Sequence, residues 1–94
     1  MPSLDRRVAL VTGAGGGIGA AICRRLAKEG AFVVAADLNF DNAKRVAEEV
    51  GHDGGSAVAV PLDITDRMQW RSAVAETLRV AGALDPVCVV DSQT

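Results

Sequence analysis

Five glycines crowd into the seven positions 13–19, between a short apolar run, Val8-Ala9-Leu10-Val11, and a helical pattern that starts near Ile18. Glycine loses more conformational freedom on folding than any other residue, so such a cluster in a fixed position demands a reason. A strand that ends in a glycine-rich turn and opens a helix supplies one. The bare backbone lets a phosphate approach, and the first helical turn offers unpaired N–H groups at the positive end of its dipole. The motif G-x-G-x-x-G/A is weak by itself, and Gly15-Gly16-Gly17-Ile18-Gly19-Ala20 fits it only loosely. No Gly-Lys-Ser/Thr follows, so the loop is not a Walker A phosphate loop.

The rest of the chain alternates in the same way. Ile18, Ala21, Ile22, Leu26 and Ala27 recur at helical spacing, opposite Arg24, Arg25, Lys28 and Glu29, and Gly30 is placed to stop that helix. Residues 32–36 read as a second buried strand ending at Asp37. Asn39 and Asp41 are both candidate caps for a second helix, whose apolar stripe is Ala43, Val46, Ala47 and Val50. On its wet side Asp41 can pair with Arg45 and Lys44 with Glu48. Gly51 is expected to close it, leaving residues 52–55 as a turn and His52 as a solvated turn residue. Residues 56–60 read as a third strand before Pro61. Thr65 is the expected cap of a third helix with a stripe of Trp70, Val74, Leu78 and Ala81, flanked by Met68 and Ala73, and ended by Gly82. Residues 84–90 read as a fourth strand, with Pro86 near its start. Strands that alternate with helices over short connections imply an α/β fold with a parallel sheet and right-handed crossovers.

Ninety-four residues allow one small domain, and 49% apolar content, mostly small aliphatics, suits helices layered on a sheet. A net charge of −2 gives no electrostatic case for nucleic acid or an anionic membrane. Cys23 and Cys88 fit no metal or redox spacing and read as buried thiols, and no metal-ligand set is present. The apolar run before Gly13 is too short for a secretory signal or a membrane span, so the expected compartment is the cytoplasm.

Two acidic residues give the glycine loop a ligand. Asp37 lies 20 residues past Gly17 at the tip of the second strand. There it can accept hydrogen bonds from the hydroxyls of an adenosine ribose and would repel a 2′-phosphate. Leu38 and Gly16 bring no positive charge, so NAD is favoured over NADP. Asp63, after the third strand, is placed to meet the adenine amino group.

With these residues in hand, the chain resembles the short-chain dehydrogenase/reductase family. That family carries Thr-Gly-x-x-x-Gly-x-Gly, which is Thr12-Gly13-Ala14-Gly15-Gly16-Gly17-Ile18-Gly19 here. Asp37 matches the Asp that ends the second strand in NAD-using members, and Asp63-Ile64 matches the pair beside the adenine. The resemblance implies a Rossmann-type parallel sheet, here of about four strands in the order 3-2-1-4. It also implies a cofactor set of Thr12, Gly13, Gly15, Gly16, Gly17, Ile18, Gly19, Asp37, Leu38, Asp63 and Ile64, and reversible hydride transfer between NAD(H) and an alcohol/ketone pair. It holds from Val8 to Asp85. Residues 1–85 are therefore expected to be the N-terminal part of an NAD-binding domain and 86–94 a divergent tail, in which Val89 and Val90 replace the family's paired asparagines. The family's catalytic Ser and Tyr-x-x-x-Lys find no counterpart, since the chain contains no tyrosine.

The reading is therefore the cofactor-binding half of an NAD-dependent oxidoreductase, inactive and marginally stable by itself, with an open strand edge available for self-association. The alternative is a non-catalytic module for NAD or an adenine nucleotide, or a truncated gene product. A methyltransferase using S-adenosylmethionine ranks below both, because Thr12 stands where such enzymes place an acid.

Overall fold

Val8 to Thr12 form a strand, β1 (Val8–Thr12), in which every residue is buried. Burial on both faces requires a neighbour on each side and helices above and below, and the rest of the chain supplies them. The structure is a computed structural model that describes residues 7–81 and 87–91. Along these run α1 (Gly17–Lys28), β2 (Phe32–Asp37), α2 (Phe40–His52), β3 (Ser56–Pro61), α3 (Arg67–Ala81) and β4 (Val87–Asp91). The strands form one parallel sheet in the order β3-β2-β1-β4, the order expected from the sequence.

Side-chain alternation splits the core into two layers. Val11, Val33 and Ala35 point to one face and pack with Ala20 and Cys23 of α1 and Ala43 and Val46 of α2. Val8, Leu10, Val34 and Ala36 point to the other and meet Leu62 and, on α3, Ala73, Trp70 and Val74. β3 lies at the edge and is only half-buried.

Both α1 and α2 stop on a glycine held at positive φ. Gly30 (φ 101°) follows α1, where Ala31 N–H donates to Leu26 O and Gly30 N–H to Ala27 O. Gly54 (φ 88°) follows α2, with Gly55 N–H on Val50 O and Gly54 N–H on Gly51 O. These paired bonds satisfy carbonyls that a helix end otherwise leaves open. The second stop corrects the sequence expectation. Gly51 does not close α2, which continues through His52, because it is Gly54 that takes the left-handed conformation.

Three further expectations change. The cap of α3 is Asp66, not Thr65: Asp66 Oδ1 accepts from Met68 N–H at 2.9 Å and Gln69 N–H at 3.2 Å. The buried face of α3 is rotated, since Ala73 and Thr77 are buried while Leu78 and Met68 are exposed. Thr77 enters the core because its hydroxyl donates to Ala73 O at 2.7 Å, which satisfies its polar atom locally. The pairs Asp41–Arg45 and Lys44–Glu48 are not formed; Arg24 instead reaches from α1 to Glu49 on α2 at 3.8 Å. Of the two candidate caps for α2, Asn39 does the work, accepting from Asn42 N–H at 3.2 Å. Gly82, the strand start at Leu84 and Pro86 lie outside the described residues, as do the side chains of Ala81 and Cys88. Among the described residues, no helix is long and apolar enough to cross a membrane.

The corrected cap has a measurable consequence. Asp66→Ala is expected to lower stability by about 1 kcal/mol, the usual loss for an N-cap. Thr65→Ala should cost less than half of that in the same urea titration, and the reverse order would reinstate Thr65 as the cap.

Candidate functional site

The parallel sheet brings the ends of its strands together. Thr12 is in register with Ala36 and Asp91, and Asp37 with Pro61. Strand order reverses between β1 and β4, and ligands of such sheets bind beyond the carboxyl ends at that reversal. The glycine loop leaves β1 at this point.

The loop is built by close backbone approach. Gly13 sits at φ 66°, and its carbonyl accepts from Gly16 N–H at 3.2 Å. Ala14 N–H is tied to Ala36 O of β2 at 3.0 Å. The five glycines are not equivalent. A Cβ on Gly19 would stand 2.0 Å from Gly13 O, and one on Gly15 would stand 2.5 Å from Asn42 Cβ. A Cβ on Gly17 would meet nothing within 4 Å, and one on Gly16 only Gly13 O at 3.6 Å. Gly15 and Gly19 thus permit packing, whereas Gly16 and Gly17 leave open space in front of α1.

That helix starts on Gly16 with no side-chain cap and no acidic residue in its first turn. Ala20 N–H makes the first bond of the helical ladder, to Gly16 O at 2.8 Å. The N–H groups of Gly17, Ile18 and Gly19 precede it, in the first turn, where a helix leaves its N–H groups without helical partners. Ile18 itself is exposed. α2 and α3 begin differently, with the side chains of Asn39 and Asp66 on their first turns.

Asp37 joins the second strand to this loop. Its Oδ2 accepts from Gly15 N–H and its Oδ1 from Asn39 N–H, each at 2.8 Å. The Asp37 carbonyl also accepts from Leu62 N–H at 3.0 Å, which fixes the exit of β3 beside it. Leu38 and Ile64 are exposed on the same edge. Asp63 is held separately: Oδ1 accepts from Thr65 N–H at 2.9 Å and Thr65 Oγ1 at 2.6 Å, while its own N–H donates to Gln69 Oε1 at 2.8 Å. The hydrogen bonds from Thr65 hold its carboxyl below the usual aspartate value. Of the residues singled out from the sequence, then, Gly15 and Asp37 are directly bonded, while Asp63 is anchored to its own turn.

Two other features are structural. Burial pushes the Cys23 thiol up to about 11, against the pull of Arg24, which makes it a packing group rather than a nucleophile. A hollow of about 810 Å³ lies at the far end of α1, lined by Arg24, Arg25, Lys28, Glu29, Asp53 and Gly54 among others. It is larger than the hollow of about 440 Å³ beside Gly17 and Ile18, but α1 and α2 both end there. It receives the negative ends of two helix dipoles, which the cations offset. Among the described residues, no cluster of His, Cys, Asp or Glu could hold a metal ion.

This chain belongs to the short chain dehydrogenase family, whose model matches residues 7–90. It is 45% identical over 81 residues to a 2,5-dichloro-2,5-cyclohexadiene-1,4-diol dehydrogenase of Sphingobium indicum, a match covering 86% of this chain and 32% of the relative. Among solved structures, a hydroxysteroid dehydrogenase from Escherichia coli superposes with a TM-score of 0.87 at 36% identity, covering 95% of this chain and 37% of that one. A 7α-hydroxysteroid dehydrogenase complexed with NADH and 7-oxo glycochenodeoxycholic acid gives 0.84 at 36% identity, over 90% and 33%. The chain thus spans about a third of the length of most of the curated relatives it matches, and the matched part is their N-terminal part.

The glycine geometry separates two substitutions. Gly19→Ala should lower stability by about 2 kcal/mol, as overpacking against backbone does. Gly17→Ala should leave stability unchanged or raise it, since alanine is the better helix former; equal losses in urea titrations of the two would contradict the packing described here. Asp63 should titrate below an ordinary aspartate in a carboxyl NMR titration. Thr65→Ala should move its midpoint part of the way up, because the hydroxyl bond that favours the charged form is lost while the backbone N–H bond remains.

Proposed function

We propose that this chain holds the adenosine-diphosphate end of NAD for a short-chain oxidoreductase that transfers hydride between NAD(H) and an alcohol/ketone pair. The observation that carries this reading is the bond from Gly15 N–H to Asp37, which sets an acceptor-only carboxylate beside the glycine loop. The residues fit the cofactor. Open space at Gly16 and Gly17, in front of an uncapped helix start, suits a pyrophosphate. Each Asp37 oxygen accepts one backbone bond and keeps a lone pair for a ribose hydroxyl. Thr12, Gly13 and Gly19 shape the loop, and Ile18 walls its outer side. Leu38 and Ile64 offer apolar surface to the adenine beside Asp63.

NAD, when bound, supplies or takes up the hydride. The chain's own part is to bind and orient one end of it. Asp37 next to a 2′-phosphate would place like charges together, and Leu38 brings no compensating cation, so NAD is preferred over NADP. The NADH bound by the hydroxysteroid dehydrogenase relative supports the choice of cofactor class. The proton transfer that accompanies hydride movement is assigned to residues other than these 94, since no tyrosine is among them.

Calorimetric titration of the chain tests this. NAD should bind at least about tenfold more tightly than NADP, a gap of about 1.4 kcal/mol. Asp37→Asn should weaken NAD, and Leu38→Arg should narrow the gap by favouring NADP. Tighter binding of NADP to the unsubstituted chain would overturn the role given to Asp37.

A further inference from the structure

Asn42 is half-buried in the first turn of α2, three residues after the cap Asn39. A Glu or Gln at this place reaches back to the N–H of the cap residue, completing a reciprocal pair of bonds. Here that N–H is already taken, because Asn39 donates it to Asp37 Oδ1 at 2.8 Å. The Asn42 carboxamide is thereby released from its local role, and among the described residues it makes no hydrogen bond. Its location is fixed by Gly15: Asn42 Cβ and Asp37 Oδ2 both lie within 3.1 Å of the point where a Gly15 Cβ would stand. Helical Cα–Cβ bonds tilt toward the helix N-terminus, which for α2 is the carboxyl edge of the sheet. The free carboxamide therefore belongs to the same small region as the Asp37 carboxylate.

The two groups are complementary. A carboxylate only accepts, whereas a carboxamide also donates two N–H bonds. A hydroxyl placed between them can donate to Asp37 and accept from Asn42 at once. We infer that Asn42 is a second ligand for the adenosine ribose, donating to the 2′-hydroxyl while Asp37 accepts from it, and that it helps set the preference for a free 2′-hydroxyl. The inference rests on the cofactor reading above and adds a residue to it.

The test is a ligand-against-residue cycle read by calorimetry on the 94-residue chain, with ADP and 2′-deoxy-ADP as probes. Asn42→Ala is expected to weaken ADP about fivefold, the size of one net hydrogen bond, and to leave 2′-deoxy-ADP within about twofold. Asn42→Ser keeps a short donor at the same Cβ and should restore part of the discrimination. Equal weakening of both ligands, or no change in either, overturns the role of Asn42 while leaving Asp37 in place. Failure of the unsubstituted chain to bind ADP or NAD at all overturns the cofactor reading itself, and this proposal with it.

Discussion

One hydrogen bond, from Gly15 N–H to Asp37 Oδ2, joins the two elements that matter most in this molecule. Without it the glycine loop would be held to β2 only through the backbone bond from Ala14 N–H to Ala36 O, with no link to the carboxylate at the strand tip. With it, the tip of β2 and the mouth of the loop become one surface. The bond also sets requirements on its neighbours. Gly15 must be bare so that Asn42 can pack against it, and Asn39 must offer its N–H to the second carboxylate oxygen. The bond is charge-assisted, which makes it stronger than one between neutral groups.

The sheet makes this juxtaposition possible. Parallel strands in register put every carboxyl end on one side, and short connections place the starts of α1, α2 and α3 there as well. The helix ends are gathered at the opposite edge, where Gly30 and Gly54 close them and basic side chains lie near their carbonyls. Helix starts and helix ends are thereby separated by the length of a helix. The α1 start stands apart from the other two in having no side chain on its first turn.

Much of this could be read in the sequence because the signals are local. Apolar runs ended by glycine, proline or an acid gave the strands, and the glycine cluster with Asp37 gave the candidate site. The misreadings arise where several nearby groups suit the same role and only the bonds actually made decide between them. Thr65 is as good a cap as Asp66 on local rules, but Asp63 engages its hydroxyl and backbone N–H. Leu78 is more apolar than Thr77, yet Thr77 is buried because Ala73 O satisfies it and its small size lets α3 approach the sheet. Asn42 could not be singled out, since its spacing from Asn39 marks only a cap. That the reciprocal bond is taken by Asp37 depends on where β2 ends.

β1 is paired on both sides and buried along its whole length, while the loop that leaves it carries glycine at five of seven positions. Such a segment has a still root and a compliant tip. Amides of β1 open only when much of the sheet opens, whereas Gly16 is held by local bonds alone, its N–H to Gly13 O and its carbonyl to Ala20 N–H. An incoming phosphate would thus meet a surface able to adjust over a fraction of an ångström while its point of attachment stays fixed, the behaviour of a spring clamped at one end.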